Sequence, residues 1–99
     1  GVPVRLRGDP RLLRRLIRNL LENARRHGAP PIKVSLQKTG NTATLQVCDA
    51  GPGIPEPERE KVFEPFHRGL GLSIVRRIAR RHGGDVRCTG TCFVVTLPI

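Results

Sequence analysis

Residues 11–27 read RLLRRLIRNLLENARRH, and the fold is decided by how this stretch is read. At about 100° of rotation per residue, Leu12, Leu13, Leu16, Ile17, Leu20, Leu21 and Ala24 gather on one broad apolar face, with Arg11, Arg14, Arg15, Arg18, Glu22 and Arg25 opposite. Such a stripe predicts a helix lying on a core. Along one edge of it run Asn19, Asn23 and Arg26. Asn favours turns and caps over helix interiors, and a half-buried amide without a partner costs about 1–3 kcal/mol. The two amides, one turn apart, therefore either cap neighbouring backbone groups or share a partner; a metal ion carrying phosphate oxygens would serve both.

The ends of the helix are marked. Asp9 can cap it through its carboxylate, and Pro10 follows at the first helical position, where a missing N–H costs nothing. After His27, Gly28 is expected to supply a left-handed terminating residue, and Pro30-Pro31 bar continuation. Upstream, residues 2–7 alternate apolar and polar side chains, the period of a half-buried strand. Downstream, residues 32–38 (IKVSLQK) and 42–49 (TATLQVCD) alternate again across Thr39-Gly40-Asn41, which predicts an antiparallel hairpin. In the second run Ala43, Leu45 and Val47 share a face, and Asp49 falls on that face at the strand end. An ionised carboxylate on the core side needs hydrogen bonds or a polar ligand; the other reading is a strand-end Asp that turns into its loop.

Asp49 opens DAGPGIP, in which Gly51 and Gly53 free the backbone for positive φ or close approach, while Pro52 and Pro55 stiffen it. A charged turn or two of helix over residues 56–61 leads into Val62-Phe63-Glu64-Pro65-Phe66, a hydrophobic plug. His67-Arg68 then runs directly into GLGLSIV (residues 69–75), where Ile74, Val75, Ile78 and Ala79 give a second helical stripe that Gly83-Gly84 ends. A glycine-rich entry to a helix presents unpaired N–H groups and the positive end of the dipole to an anion. Its spacing is short of both the P-loop and the dinucleotide fingerprint. Residues 85–89 and 92–97 are expected as two more strands around a Gly90 turn.

Ninety-nine residues make one domain. The formal charge of +10, taken alone, would suggest nucleic acid or anionic lipid. Three Phe and no Tyr or Trp leave little to stack on bases, so a basic nucleic-acid-binding module ranks last among the readings. No apolar run approaches the roughly 18 residues of a membrane span, and no leader is visible, so a soluble fragment is expected. Cys48, Cys88 and Cys92 form an odd set without a CxxC pair, which indicates neither a disulfide framework nor a zinc site. Cys48 and Cys92 are expected as small buried apolar residues in a reducing compartment.

The order of motifs, NLLENA on a helix, DAGPGIP after a strand, FEPF, GLGLSIV opening a helix and a final CFVVTLP strand, resembles the catalytic, ATP-binding domain of sensor histidine kinases, in the superfamily shared with gyrase, Hsp90 and MutL. The resemblance implies an α/β two-layer sandwich: a mixed, mostly antiparallel sheet with helices on one face, the Bergerat-type fold. It implies Mg²⁺ and ATP as cofactors. Residue by residue, Asn23 matches the amide that coordinates Mg²⁺, Asn19 the preceding amide, and Arg26 a basic position that contacts phosphate. Asp49 matches the carboxylate that accepts from the adenine amine. Gly51 and Gly53 match the first glycine box, Gly69 and Gly71 the second, and Phe63 and Phe66 the box that anchors the loop over the nucleotide. Ile54, Leu70, Leu72 and Thr96 complete the nucleotide-contacting set, with His27 where many members carry a Tyr that packs on adenine.

In the ATPase branches of that superfamily a Glu four residues before the magnesium Asn activates water; Asn19 stands there, and an amide is no general base. The resemblance thus implies phosphoryl transfer to a histidine on a separate dimerisation domain, for relay to a response regulator, from a monomeric cytoplasmic domain. Asn19, Asn23 and Arg26 would be its catalytic residues, and no nucleic acid its partner. An anti-sigma serine kinase and a nucleotide-binding regulatory domain without catalysis are the alternatives. The family's ATP lid, which falls between the Phe box and GLGL, is reduced to His67-Arg68: either it is deleted, or a loop is missing from the sequence as read.

Overall fold

A computed structural model of the chain describes residues 8–65 and 71–99. The strand expected at residues 2–7, and the expectations placed on Phe66, His67, Arg68, Gly69 and Leu70, lie outside them.

Helix α1 spans Pro10–His27 and starts as its sequence dictates: the Asp9 carboxylate accepts the Arg11 N–H at 2.9 Å, with Pro10 inside the first turn. Leu16, Leu20 and Ala24 are its buried residues. The backbone N–H of Asp9 donates to His82 Nε2 at 3.0 Å, and His82 Nδ1 lies 2.8 Å from the Ile78 carbonyl. A ring that accepts at Nε2 carries its proton on Nδ1, so one imidazole ties the start of α1 to the end of the second helix. The far end of α1 differs from expectation. Gly28 is extended, at φ −105° and ψ −156°, and not left-handed. Its glycine is required by proximity instead, because a Cβ there would fall on the Asp49 carboxylate.

Strands β1 (Lys33–Thr39) and β2 (Thr42–Cys48) form the expected hairpin, with Gly40 at φ +58° in its turn. Helix α2 covers Gly71–Arg81, and β3 (Asp85–Cys88) and β4 (Cys92–Pro98) follow. The sheet order is β1-β2-β4-β3, and every pairing among the described residues is antiparallel. Leu45 and Val47 of β2 and Phe93, Val95 and Leu97 of β4 share one face, which packs on Leu16 and Leu20 of α1 and on Leu72, Val75 and Ile78 of α2. Two layers result, with one core between them. Helix α2 ends in a Schellman arrangement: the Gly83 N–H reaches the Arg80 carbonyl at 3.1 Å, the Gly84 N–H reaches that of Ala79 at 2.9 Å, and Gly83 has φ +85°.

The cysteine reading needs correction. Register sets Cys48 opposite Cys92, with Cα atoms 4.1 Å apart, and a disulfide joins them, leaving Cys88 as the free thiol. Neither residue is a fully buried apolar filler: both are half-buried and bonded to each other. Spacing along the chain could not show the pair, because strand register alone brings positions 48 and 92 together.

The charged turns expected at residues 56–61 are two 3-10 turns, Glu56–Glu58 and Lys61–Phe63. Arg76 of α2 holds this segment down. Its guanidinium meets Glu60 at 2.9 and 3.1 Å, Asp85 at 3.2 Å and the Val86 carbonyl at 2.8 Å, and lies 4.0 Å from the centroid of the Phe63 ring. The Arg76 hydrogen bond holds Glu60 below its ordinary 4.5. Burial pushes the Asp85 carboxyl up, but the Val86 N–H, Arg80 and Arg76 outweigh it and hold it below 3.8. For Arg76 itself burial disfavours the charge, and the two acids more than restore it. Arg76 is only 14% exposed, so Arg76→Ala should cost about 2–3 kcal/mol in urea unfolding near neutral pH. Carboxylates depressed in the folded state add stability above their unfolded values and lose it as pH falls through the folded ones. The gap between the wild type and this variant should accordingly shrink on acidification below the ordinary range of these acids. Glu60, 77% exposed, supplies the smaller share because water screens it. A gap that widened in acid would exclude this pairing.

Candidate functional site

Three loops meet around the carboxylate that ends β2. The Asp49 N–H donates to the Thr91 carbonyl at 3.1 Å, the Ala50 N–H to that of Ala29 at 2.8 Å, and the Ile54 N–H to that of Gly90 at 3.0 Å. Asp49 continues the inward parity of Ala43, Leu45 and Val47, and its side chain is part-buried. Oδ1 accepts from the Gly51 N–H at 2.7 Å and from the Ala29 N–H at 3.3 Å. Among the described residues Oδ2 accepts no hydrogen bond. One carboxylate oxygen thus ties the loops together, which the strand-end reading anticipated, and the second is left for a donor.

Glycines permit this crowding. A Cβ on Gly51 would lie 2.8 Å from Asp49 Oδ1 and 3.1 Å from the Cα of Gly28. Gly53, at φ +77°, passes so near Gly90 that a Cβ would stand 3.2 Å from its carbonyl carbon. Arg59 Nε steadies the loop by donating to the Ile54 carbonyl at 2.9 Å.

Asn23, His27, Asp49, Gly53 and Ile54, all expected at the site, line one pocket with Gly28, Gly90 and Phe93. Its volume is about 20 Å³, room for little more than a water molecule. Asn19 lies one turn back along α1, where it meets the start of α2: a Cβ on Gly71 would be 3.7 Å from Asn19 Cβ. The two amides therefore run from the helix start that favours anions to the Asp49 pocket. Arg26, on the same edge, is 74% exposed and paired with Glu22 at 3.5 Å.

The other expected residues sit elsewhere. Phe63 is buried behind the pocket, its ring edge-on to Phe93 at 5.9 Å between centroids. Leu72 is buried in the core. Thr96 pairs with Asp85 on the alternate face of β4, away from the pocket. Sequence reasoning missed three lining residues: Gly28 reads as a cap, Gly90 as a turn and Phe93 only as part of the last strand. Only the conjunction of an inward-facing acid with glycines in separate loops hinted at them.

Residues 8–99 match the model of the histidine kinase-, DNA gyrase B- and HSP90-like ATPases, and the chain belongs to that family. Within it, the similar proteins are sensor kinases. Sensor protein RstB of Escherichia coli is 46% identical over 92 residues, covering 81% of this chain and 21% of RstB. Signal transduction histidine-protein kinase AfsQ2 of Streptomyces coelicolor is 37% identical over 114 residues, covering 99% of this chain and 21% of AfsQ2. Among solved structures, the mycobacterial sensor histidine kinase MprB superposes with a TM-score of 0.83 at 34% identity, over 94% of this chain and 76% of that one. The ATP-binding domain of PrrB from Mycobacterium tuberculosis gives 0.82 at 34% identity, over 98% and 76%. The chain spans only about a fifth of the length of these two curated relatives. No helix of the described residues is long and apolar enough to cross a membrane.

Proposed function

We propose that the chain is the catalytic domain of a two-component sensor histidine kinase, which binds Mg²⁺·ATP and passes the γ-phosphate to a histidine on a separate dimerisation domain, for relay to a response regulator. The observation that carries this reading is the placement of Asn23 and Asp49 in one pocket, with Asn19 one turn away beside the start of α2. In this reading the free Asp49 oxygen accepts the adenine amine, His27 and Ile54 flank the base, and the two amides reach along the phosphates. Among the described residues no group of three His, Cys, Asp or Glu could hold a metal alone. The donor set fits an ion that uses mostly phosphate oxygens and takes one ligand from Asn23; when bound, it would neutralise charge on the transferring phosphoryl group. Phosphoryl transfer asks the protein mainly for positioning and electrostatics, and an amide at position 19 supplies no base for water.

The acceptor histidine belongs to another part of the parent protein, whose location we take to be the cytoplasm and whose isolated catalytic domain we take to be monomeric. We place the missing ATP lid between Arg68 and Gly69. The match to AfsQ2 extends over 114 positions while this chain has 99 residues, so that relative carries segments without counterpart here, which supports the reading. Calorimetry tests the base recognition: ATP should bind measurably more tightly than GTP, because guanine presents a carbonyl oxygen where adenine presents its amine. Equal affinities would remove Asp49 from base recognition.

A further inference from the structure

The disulfide borders the Asp49 pocket. Cys48 ends β2 immediately before Asp49, and Cys92 opens β4 just beyond Gly90 and Thr91. Asp49 and Gly90 both line the pocket. The hydrogen bonds that frame it start from the residues beside the two cysteines: the Asp49 N–H reaches the Thr91 carbonyl at 3.1 Å, and the Ile54 N–H reaches that of Gly90 at 3.0 Å. The Gly90 turn is closed by the Thr89 N–H on the Cys92 carbonyl at 2.9 Å. Among the described residues the sulfur bridge is the only covalent tie across a frame otherwise made of hydrogen bonds.

The rest of the fold does not lean on that bridge. Strand alternation puts Cys48 with Thr44 and Gln46, and Cys92 with Val94 and Thr96, on the face turned from the helices. Both bonded cysteines are half-buried and stand outside the core, whereas Cys88 is buried within it. Strands β2 and β4 pair over seven residue pairs, so they stay joined when the bond is open. In the cytoplasm proposed for the parent protein, ordinary cysteines are kept reduced, and a disulfide there is one that is made and broken. Opening takes two small thiols. The first thiolate attacks one cysteine sulfur, expels the other cysteine as a thiolate and leaves a mixed disulfide; the second attacks that bond, frees the remaining cysteine and departs with the first as a small disulfide. Closing runs in reverse and consumes one small disulfide. We infer that Cys48 and Cys92 form a reversible thiol–disulfide exchange site, with small thiols and disulfides as its reactants, and that closing it orders Asp49 and the Gly90 turn. Its effect on ATP rests on the reading of the pocket as the nucleotide site: an acceptor already in place loses less freedom when the base arrives.

The test compares the 99-residue chain treated with glutathione disulfide and the same chain treated with dithiothreitol under folded conditions. A thiol count should give one free cysteine in the first and three in the second. On reduction, amide hydrogen exchange at Asp49 and Ile54 should speed up by about tenfold or more while α1 and α2 keep their protection. ATP affinity should fall by about tenfold and return with glutathione disulfide. The double variant Cys48→Ser, Cys92→Ser should match the reduced chain and ignore both reagents, and Cys88→Ser should keep the whole response. Faster exchange at Asp49 with no ATP bound by either form would support the exchange site and remove the nucleotide reading instead. The inference is overturned if the folded chain still counts one thiol in dithiothreitol, if exchange at Asp49 is the same in both forms, or if both forms bind ATP equally. It is overturned too if reduction strips protection from α1 and α2 alike, which would make the bond a staple of the whole fold.

Discussion

Asn23→Ala should cut phosphoryl transfer by about a hundredfold or more, the usual loss when one preorganised transition-state contact is removed, and leave the fold standing. The residue lines the Asp49 pocket and is half-buried at the edge of the α1 stripe, while Leu20 and Ala24 beside it carry the packing. Truncation therefore opens little cavity and should move the melting temperature only slightly. The defect should follow the metal: with Mg²⁺ present the variant should bind ATP less well than the wild type, and with Mg²⁺ chelated the two should converge. A variant that melts early yet still transfers phosphate would make the amide a structural cap, the alternative its helical position allows.

The second large effect is expected at Asp49→Asn. The carbonyl oxygen of Asn can still accept the Gly51 and Ala29 N–H groups that Oδ1 now takes at 2.7 and 3.3 Å, so the three loops should hold. What disappears is the second carboxylate oxygen and its charge, and with them a charge-assisted bond from the adenine amine. ATP affinity should fall by about 1–3 kcal/mol, roughly fivefold to 150-fold, with an unchanged melt. The opposite pattern, a lower melt with full affinity, would mean that the carboxylate serves its loops alone.

These residues differ in how legible they were. Helix α1 could be read to its ends because cap, proline and 3.6-residue stripe all agree, and the position of Asp49 followed from strand parity. Neither inference needs tertiary knowledge. Gly28, Cys48 with Cys92, and Arg76 do need it. A glycine after a helix is most simply read as a left-handed cap, whereas this one is extended and spared a side chain because Asp49 arrives from twenty-one residues away. The disulfide depends on the register between β2 and β4, which alternation within each strand leaves open. Nothing in the sequence sets Arg76 apart from Arg77 beside it, and only the fold brings Glu60, Asp85 and Phe63 around it. The order of the motifs, more than any one of them, gave the family.

The pocket chemistry and the amide at position 19 together claim that this domain transfers phosphate and does not spend it on water. The direct measurement incubates the chain with γ-labelled ATP and Mg²⁺, alone and with the acceptor-helix domain of its own parent protein supplied as a separate chain. Alone, it should bind ATP, turn over almost none and acquire no label. With the acceptor it should yield an acid-labile, base-stable phosphohistidine, more slowly than the joined protein, because a short tether raises the local concentration to about the millimolar range. Rapid hydrolysis by the isolated domain, with no phosphohistidine on the partner, would contradict the account and move the chain to the ATPase side of its family.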